Sequence, residues 1–203
     1  MIITIFLCFI TLSCEKVGNQ NSYCIKTIKS SPGTTILSKS EMEVVKRLFN
    51  HNQLDYTKYL FTRFQKDELG HHHIRCYQFV NNLIVFTSDV IFSFDKNDDN
   101  YFLSGDLINT INLNTKPLMK QDNVTEKYIA RVEQDGFYKE NTEIINGCFD
   151  IEFGYYDLNA GISYADKKIT KAWKINSTNK DYPFAYVNDD NSEIIYYDNG
   201  IRF

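Results

Sequence analysis

The three consecutive imidazoles His71, His72 and His73 have the strongest claim to chemistry in this sequence. On a β-strand successive side chains alternate faces, so His71 and His73 would share one, where neutral imidazoles can ligate a metal. No Cys or carboxylate cluster is tied to them by a metal-ligand spacing, the only other histidine is His51, and neither His-Glu-x-x-His nor Cys-x-x-Cys occurs. The triplet therefore reads as a solvated strand end, with no metal and no cofactor expected. The run from Asp95 to Asn100 begins like a calcium loop. Asn100 stands where the sharp turn needs Gly, and Asp106 where the bidentate Glu belongs, so a polar hairpin turn is the simpler reading. No nucleophile elbow, phosphate-cradling glycine loop or paired-carboxylate signature is present, and the sequence predicts no catalytic function. With 22 basic and 26 acidic residues, for a formal charge of −4, nothing draws the chain to nucleic acid.

These residues sit in a stretch that must fold as strands. Gly70 to Val80 and Leu83 to Phe94 are rich in β-branched and aromatic residues and flank the pair Asn81-Asn82, which tolerates the positive φ of a tight hairpin turn. A polar break and Tyr101 to Leu107 follow. Upstream, Ser40 to Phe49 reads as a helix capped by a Ser40–Glu43 box, with Val44, Val45, Leu48 and Phe49 on one face. Tyr56 to Lys66 supplies a further strand. Polar residues from Asn109 to Asp122 mark a boundary, after which the order returns. Thr125 to Glu133 reads as a short helix capped by Asn123 or Thr125. Strands are expected at Glu143 to Tyr156, Ile169 to Ile175, Ala185 to Asn188 and Glu193 to Tyr197. A helix followed by about four antiparallel strands, twice, is an internal repeat at about 85 residues.

Residues 1–13 are almost wholly apolar and uncharged. They are too short to span a membrane, which takes roughly 20 residues, and fit a secretory signal. The Cys14 that follows Leu12-Ser13 resembles the lipidated cysteine of a bacterial lipoprotein, although the positive start is missing and Leu12 sits one place late. The alternative is a first buried strand with a stray cysteine. Residues 14–37 are polar and turn-rich, suiting a tether, with a short strand possible around Ile25 to Lys29. Once Cys8 leaves with the signal and Cys14 is lipidated, Cys24, Cys76 and Cys148 remain, and three cannot all pair. Which of them pair stays open.

Two stretches carry family resemblances. His73-x-Arg75-x-x-Gln78, the turn, the strand through Val85 to Asp95, and Ser104-Gly105 resemble the fungalysin/thermolysin propeptide domain of secreted metalloproteases. The Gly-Leu-Pro-Val usual after the Gln is replaced by Asn82-Leu83-Ile84-Val85. Ala172-Trp173, followed by Val187 to Ile195 with Glu193-Ile194, is similar to the end of a PepSY domain, with Asn191-Ser192 in place of the usual Thr-Gly turn. Together the resemblances cover 38–203 and imply an α+β fold of two tandem cystatin-like modules, one over 38–115 and one over 120–203. In the precursors a zinc protease domain follows this pair. Without His-Glu-x-x-His, this chain resembles the propeptide pair standing alone. The resemblance implies a non-enzymatic protein of the cell envelope, lipid-anchored to a membrane, that inhibits or chaperones a secreted metallopeptidase. A structural or adhesive surface lipoprotein without a peptidase partner is the alternative. The 14 Tyr and 15 Phe exceed what a core of this size needs, and exposed Tyr favours protein contact.

Overall fold

The computed structural model describes residues 23–136, 147–162, 166–178 and 180–202. The expected signal segment and Cys14 lie outside the described residues. Tyr59–Lys66 (β2), His72–Val80 (β3), Leu83–Phe94 (β4) and Tyr101–Ser104 (β5) form one antiparallel meander, and Cys148–Asp157 (β6), Ile169–Ser177 (β7), Phe184–Asn188 (β8) and Ile194–Asp198 (β9) form another. The β3–β4 hairpin turns on Asn81 and Asn82, at φ +52° and +61°. This is the left-handed pair that matches the twist of the strands it joins.

Helix α1 spans Lys39–His51 and is capped one box earlier than Ser40. Ser38 Oγ accepts from the Glu41 N–H at 3.3 Å, and Glu41 Oε2 accepts from the Ser38 N–H at 2.8 Å. Both Ser38 and Ser40 have a Glu three residues on. Capping at Ser38 makes Leu37 the preceding residue and Met42 the fourth of the helix, and both join the core cluster under α1. Capping at Ser40 would put Lys39 in Leu37's place, with no apolar group to staple. Helix α2 spans Gln121–Gln134 rather than starting near Thr125. Thr125 is buried within it, donating its hydroxyl to the Gln121 carbonyl at 3.0 Å, and no side chain caps Lys120.

The two meanders are not separate sheets. The N-terminal half of β4 pairs in parallel with the C-terminal half of β6 (Ile84↔Gly154, Val85↔Tyr155), making one nine-stranded sheet with two helices. The expectation was two cystatin-like modules, each with its own sheet of about four strands; the sheet instead runs on through nine, and Gly154 is the physical reason. A Cβ there would lie 2.5 Å from the Ile84 carbonyl oxygen and 2.9 Å from the Phe86 ring, so any other residue would hold the strands apart. Of the 14–37 stretch read as a tether with a possible short strand, residues 23–37 are described, and a strand is present there. Cys24–Ile28 form β1, which adds to β6 in parallel, and a disulfide closes the Cys24↔Cys148 register pair. Further along, the Gly33 N–H donates to the Tyr59 carbonyl and the Ile36 N–H to the Phe61 carbonyl, so residues 33–36 run along β2. Cys76 is buried and free.

Partners across a ladder share a face. Val85 and Tyr155 therefore look to one side, where Ile108 and Ile111 of the linker cover them. Along β6 alternation carries that side to Ile151 and Phe149, and along β4 the register shift between Ile84 and Asp89 transfers it to Val90, Phe92 and Phe94, so it reaches both helix cores. Val45, Leu48 and Phe49 pack on Phe61, Ile74, Phe92 and Phe94 under α1. Val124, Tyr128 and Val132 pack on Phe149, Ile151, Trp173 and Ile175 under α2. Both helices cover one face, and among the described residues no helix lies on the other face of the sheet. This is the helix-on-one-side arrangement of an α+β domain.

Candidate functional site

The motif residues are strand ties. Arg75 grips Asp89 across β3 and β4 with two hydrogen bonds, Nε to Oδ1 at 2.7 Å and Nη2 to Oδ2. Gln78 is buried beneath the linker. Its amide donates to the Ile108 carbonyl and accepts from the Ile108 N–H, both at 2.8 Å, pinning the chain as it leaves the first meander. Gly105 makes the turn just before that point at φ +100°, where a Cβ would meet the Asp89 carbonyl at 2.7 Å. Trp173 donates its indole N–H to Asp189 at 2.9 Å. Asp189 also accepts from the Leu118 and Met119 N–H groups and pairs with the buried Lys171 ammonium at 2.9 Å. It thus fixes the approach to α2 that no capping side chain holds.

The histidines divide as strand geometry requires. His72 points inward to Asp98 at 3.2 Å, while His71 Nδ1 and His73 Nε2 face Asp67 Oδ2 at 2.9 and 3.3 Å. Burial pushes the Asp67 carboxyl up, but hydrogen bonds from His71 and His73 outweigh this and hold it below the ordinary carboxylate range. Among the described residues no group of three or more His, Cys, Asp and Glu side chains is placed to hold a metal ion. His73 Nδ1 also meets Ser93 Oγ at 2.9 Å, so Ser93, His73 and Asp67 stand in the order of an acyl-transfer relay. Ser93 is the last residue but one of β4, between β3 and β5, so the backbone N–H groups beside it are taken by the ladders and the following turn and form no oxyanion hole. The Asp95–Asn100 segment is a turn closed on itself, with Asp95 Oδ1 accepting from the Asn97 and Asp99 N–H groups. A groove of about 570 Å³ at the end of the first hairpin is lined by Asp55, Thr57, Tyr59, Gln78, Asn82 and Ile108, and the hydroxyl–carboxylate contact within it is a turn cap, with the Thr57 hydroxyl and N–H both donating to Asp55 Oδ1 at 2.5 and 3.0 Å.

The helix-free face carries the unspent surface. Over the β4–β6 seam, Phe79, Ile84 and Phe86 form an apolar cluster with Tyr77, Tyr156 and Tyr186. Small residues make room for it, since Gly154 and its cross-strand partner Ala172 present no bulk beneath the rings. From there aromatic rings run outward across β8 and β9. Phe86 and Tyr156 flank Tyr186 at 5.1 and 4.9 Å between centroids, and Phe184 and Tyr196 follow at 5.7 and 6.3 Å. Tyr182 continues the band past Phe184 at 5.5 Å, and Tyr182 and Tyr196 are 40% and 44% exposed. The rim is charged. Lys174 sits over the Phe184 ring, and Arg202 lies over Tyr182 while pairing with Asp198 at 2.9 Å. Burial pushes the Tyr186 hydroxyl up, aided by the neighbouring Tyr77, Tyr156 and Glu152. It remains a neutral donor and acceptor through the physiological range. An aromatic centre with an Arg- and Lys-bearing rim is the composition of a protein-binding surface. The sequence signal for it was the pairing of tyrosines in Tyr155-Tyr156 and Tyr196-Tyr197, where alternation turns Tyr155 and Tyr197 toward the cores, Tyr155 buried and Tyr197 partly so, and leaves each neighbour on the other face. The contribution of Phe86 and Phe184 carried no such signal.

No family model matches the chain, and no curated protein matches it. Among solved structures it is similar to the Bacillus megaterium YpeB C-terminal domain, with a TM-score of 0.41 and 8% identity, over 83% of this chain and 68% of that one. No helix among the described residues is long and apolar enough to cross a membrane.

Proposed function

We propose that this chain is a non-catalytic binding protein of the bacterial cell envelope that docks a secreted metallopeptidase on the helix-free face of its sheet, as an inhibitor or chaperone. The observation that carries the reading is the aromatic band from Phe86 through Tyr186 to Tyr196, on a face that no helix among the described residues covers. In this reading 38–115 is a fungalysin/thermolysin propeptide-like module and 120–203 a PepSY-like module. The succession of a helix and four antiparallel strands in each half supports that division. The Cys24–Cys148 disulfide supports an exported location, since such bonds persist in oxidising compartments. A lipid on Cys14 would supply the anchor.

The test is a pull-down from envelope extract with the wild-type chain and with a Tyr182→Ser/Tyr196→Ser variant as baits. Both changed rings are exposed, so the fold should be indifferent to the change. The reading expects the wild type to recover a metallopeptidase and alter its activity, and the variant to recover at least about tenfold less, the loss of a hot-spot ring at an interface. Equal recovery by both baits would move the docking site off this face. Recovery of no peptidase would favour a structural or adhesive role.

A further inference from the structure

We infer that β1 is a releasable strand. In this reading the Cys24–Cys148 disulfide is a redox clasp, and its reduction by an exported dithiol frees β1 and opens the edge of β6 over residues 148–152 to another extended segment.

Three features of the structure lead there. First, β1 is lightly held apart from the disulfide. None of its five residues is buried, and Cys24, Lys26 and Thr27 are exposed. Among the described residues it pairs with β6 alone, and in parallel, the weaker ladder per residue. Its other ties are the Tyr23 ring set edge-on to Phe149, Ile25 against the core under α2, a Gln121 amide on the Thr27 hydroxyl, and the Ser30 N–H on Glu152. Second, β6 does not depend on β1. Phe149 and Ile151 are fully buried under α2, and β7 pairs with β6 from Phe149 to Asp157, so the strand stays in place when its neighbour leaves. Third, the segment that would move has a defined end. Residues 33–36 are bonded to β2, so release stops between Lys29 and Pro32.

The chemistry balances within this pair. A thiolate of the dithiol attacks the Sγ of exposed Cys24 and expels Cys148, which takes up a proton. The second thiol of the reductant then resolves the mixed disulfide and releases Cys24 as a thiol. Two electrons and two protons pass to the protein, and the reductant leaves as a disulfide. The N–H and C=O groups of β6 that faced β1 are then unpaired, the condition under which a sheet edge accepts a strand.

Hydrogen exchange read by mass spectrometry tests this on the purified chain, oxidised and after reduction with a thioredoxin-type dithiol, and on a Cys24→Ser variant that never forms the bond. Reduction and the variant should each speed exchange at 24–28 and 148–152 by about tenfold or more while leaving 169–177 and 184–188 protected. A synthetic peptide with the sequence of residues 23–29, its cysteine replaced by serine, should restore protection at 148–152 when added in excess. Unchanged exchange at 24–28 would show that β1 stays docked without the bond. Loss of protection in every strand together would make the disulfide a staple of the whole fold. Failure of the peptide to protect 148–152 would remove the strand-acceptor role. Any of the three overturns the inference.

Discussion

Asp189 meets the Trp173 indole, the Lys171 ammonium and two backbone N–H groups with one carboxylate, and its side chain is out of contact with water. Burial pushes its carboxyl up, but the Met119 and Leu118 N–H groups, Lys171 and Trp173 overcome this and hold it below the ordinary carboxylate range. A depressed folded value means that the unfolded chain takes up this proton first as pH falls. The stabilisation is therefore whole above the ordinary Asp value of about 4 and drains away as pH drops through that value toward the folded one. Replacing one partner of a buried ion pair leaves the other charge uncompensated. Asp189→Asn should therefore cost about 3–5 kcal/mol at neutral pH in urea denaturation. Its unfolding free energy should also fall less steeply than the wild type's as pH drops below about 4. A variant that loses little at pH 7 would mean Lys171 finds water or another carboxylate, for which Asp190 at 3.7 Å is the nearest candidate.

At the scale of elements, the two overlapping Ser-x-x-Glu boxes ahead of α1 give a clean comparison. Ser38 makes the reciprocal bonds with Glu41, while Ser40 lies in the first turn with its hydroxyl beside Ser38 Oγ at 3.2 Å. Ser38→Ala should lower stability by about 1 kcal/mol, the usual worth of a cap, and Ser40→Ala by less than about 0.5 kcal/mol. Reversed values, measured by thermal or urea unfolding, would place the helix start two residues later. The same pair shows where sequence reading reaches its limit. Local pattern finds the helix, because Val45, Leu48 and Phe49 recur on one face, but both boxes satisfy it. Only the apolar staple of Leu37 and Met42 against the sheet decides between them. Strands β3 and β4 were legible because Asn81-Asn82 names its own turn. The start of α2 was not, because Asp189, seventy residues away, holds the backbone where a capping side chain would otherwise be read. Strand β1 was legible only as a possibility, in the alternation of Ile25 and Ile28 with Lys26 and Lys29. Where it docks was not, because the disulfide to Cys148 fixes it there and Cys24, Cys76 and Cys148 were all open to pairing. The histidine triplet was readable as a strand end, but its partner Asp67 becomes visible only when the strand turns back.

At the scale of the whole molecule, the question is whether the two helix-capped halves behave as one body. The ladder between β4 and β6 is short, two register pairs, yet several other contacts cross the same line. Val85 and Tyr155 share a buried cluster with Ile108 and Ile111, Phe86 packs on Tyr186, and the Asp157 N–H donates to the Thr87 hydroxyl at 3.0 Å. Lys167 bridges Asp106 of the first half and Asp157 of the second. Each apolar side chain buried in such a seam contributes about 1.5–3 kcal/mol, so the four buried members of the cluster alone bring the coupling to a sizeable fraction of a domain's net stability. The halves should therefore unfold together. Trp173, the only tryptophan, reports from the second half, whereas far-ultraviolet circular dichroism reads both. In urea the two signals should trace one coincident transition. Gly154→Val directs the opposite result. Its side chain would strike the Ile84 backbone and the Phe86 ring, prising β4 from β6 while leaving both helix cores untouched. The dichroism should then become biphasic, with Trp173 following one step only. If the wild type already shows two steps, the seam couples the halves weakly, and the continuous sheet is two domains resting edge to edge.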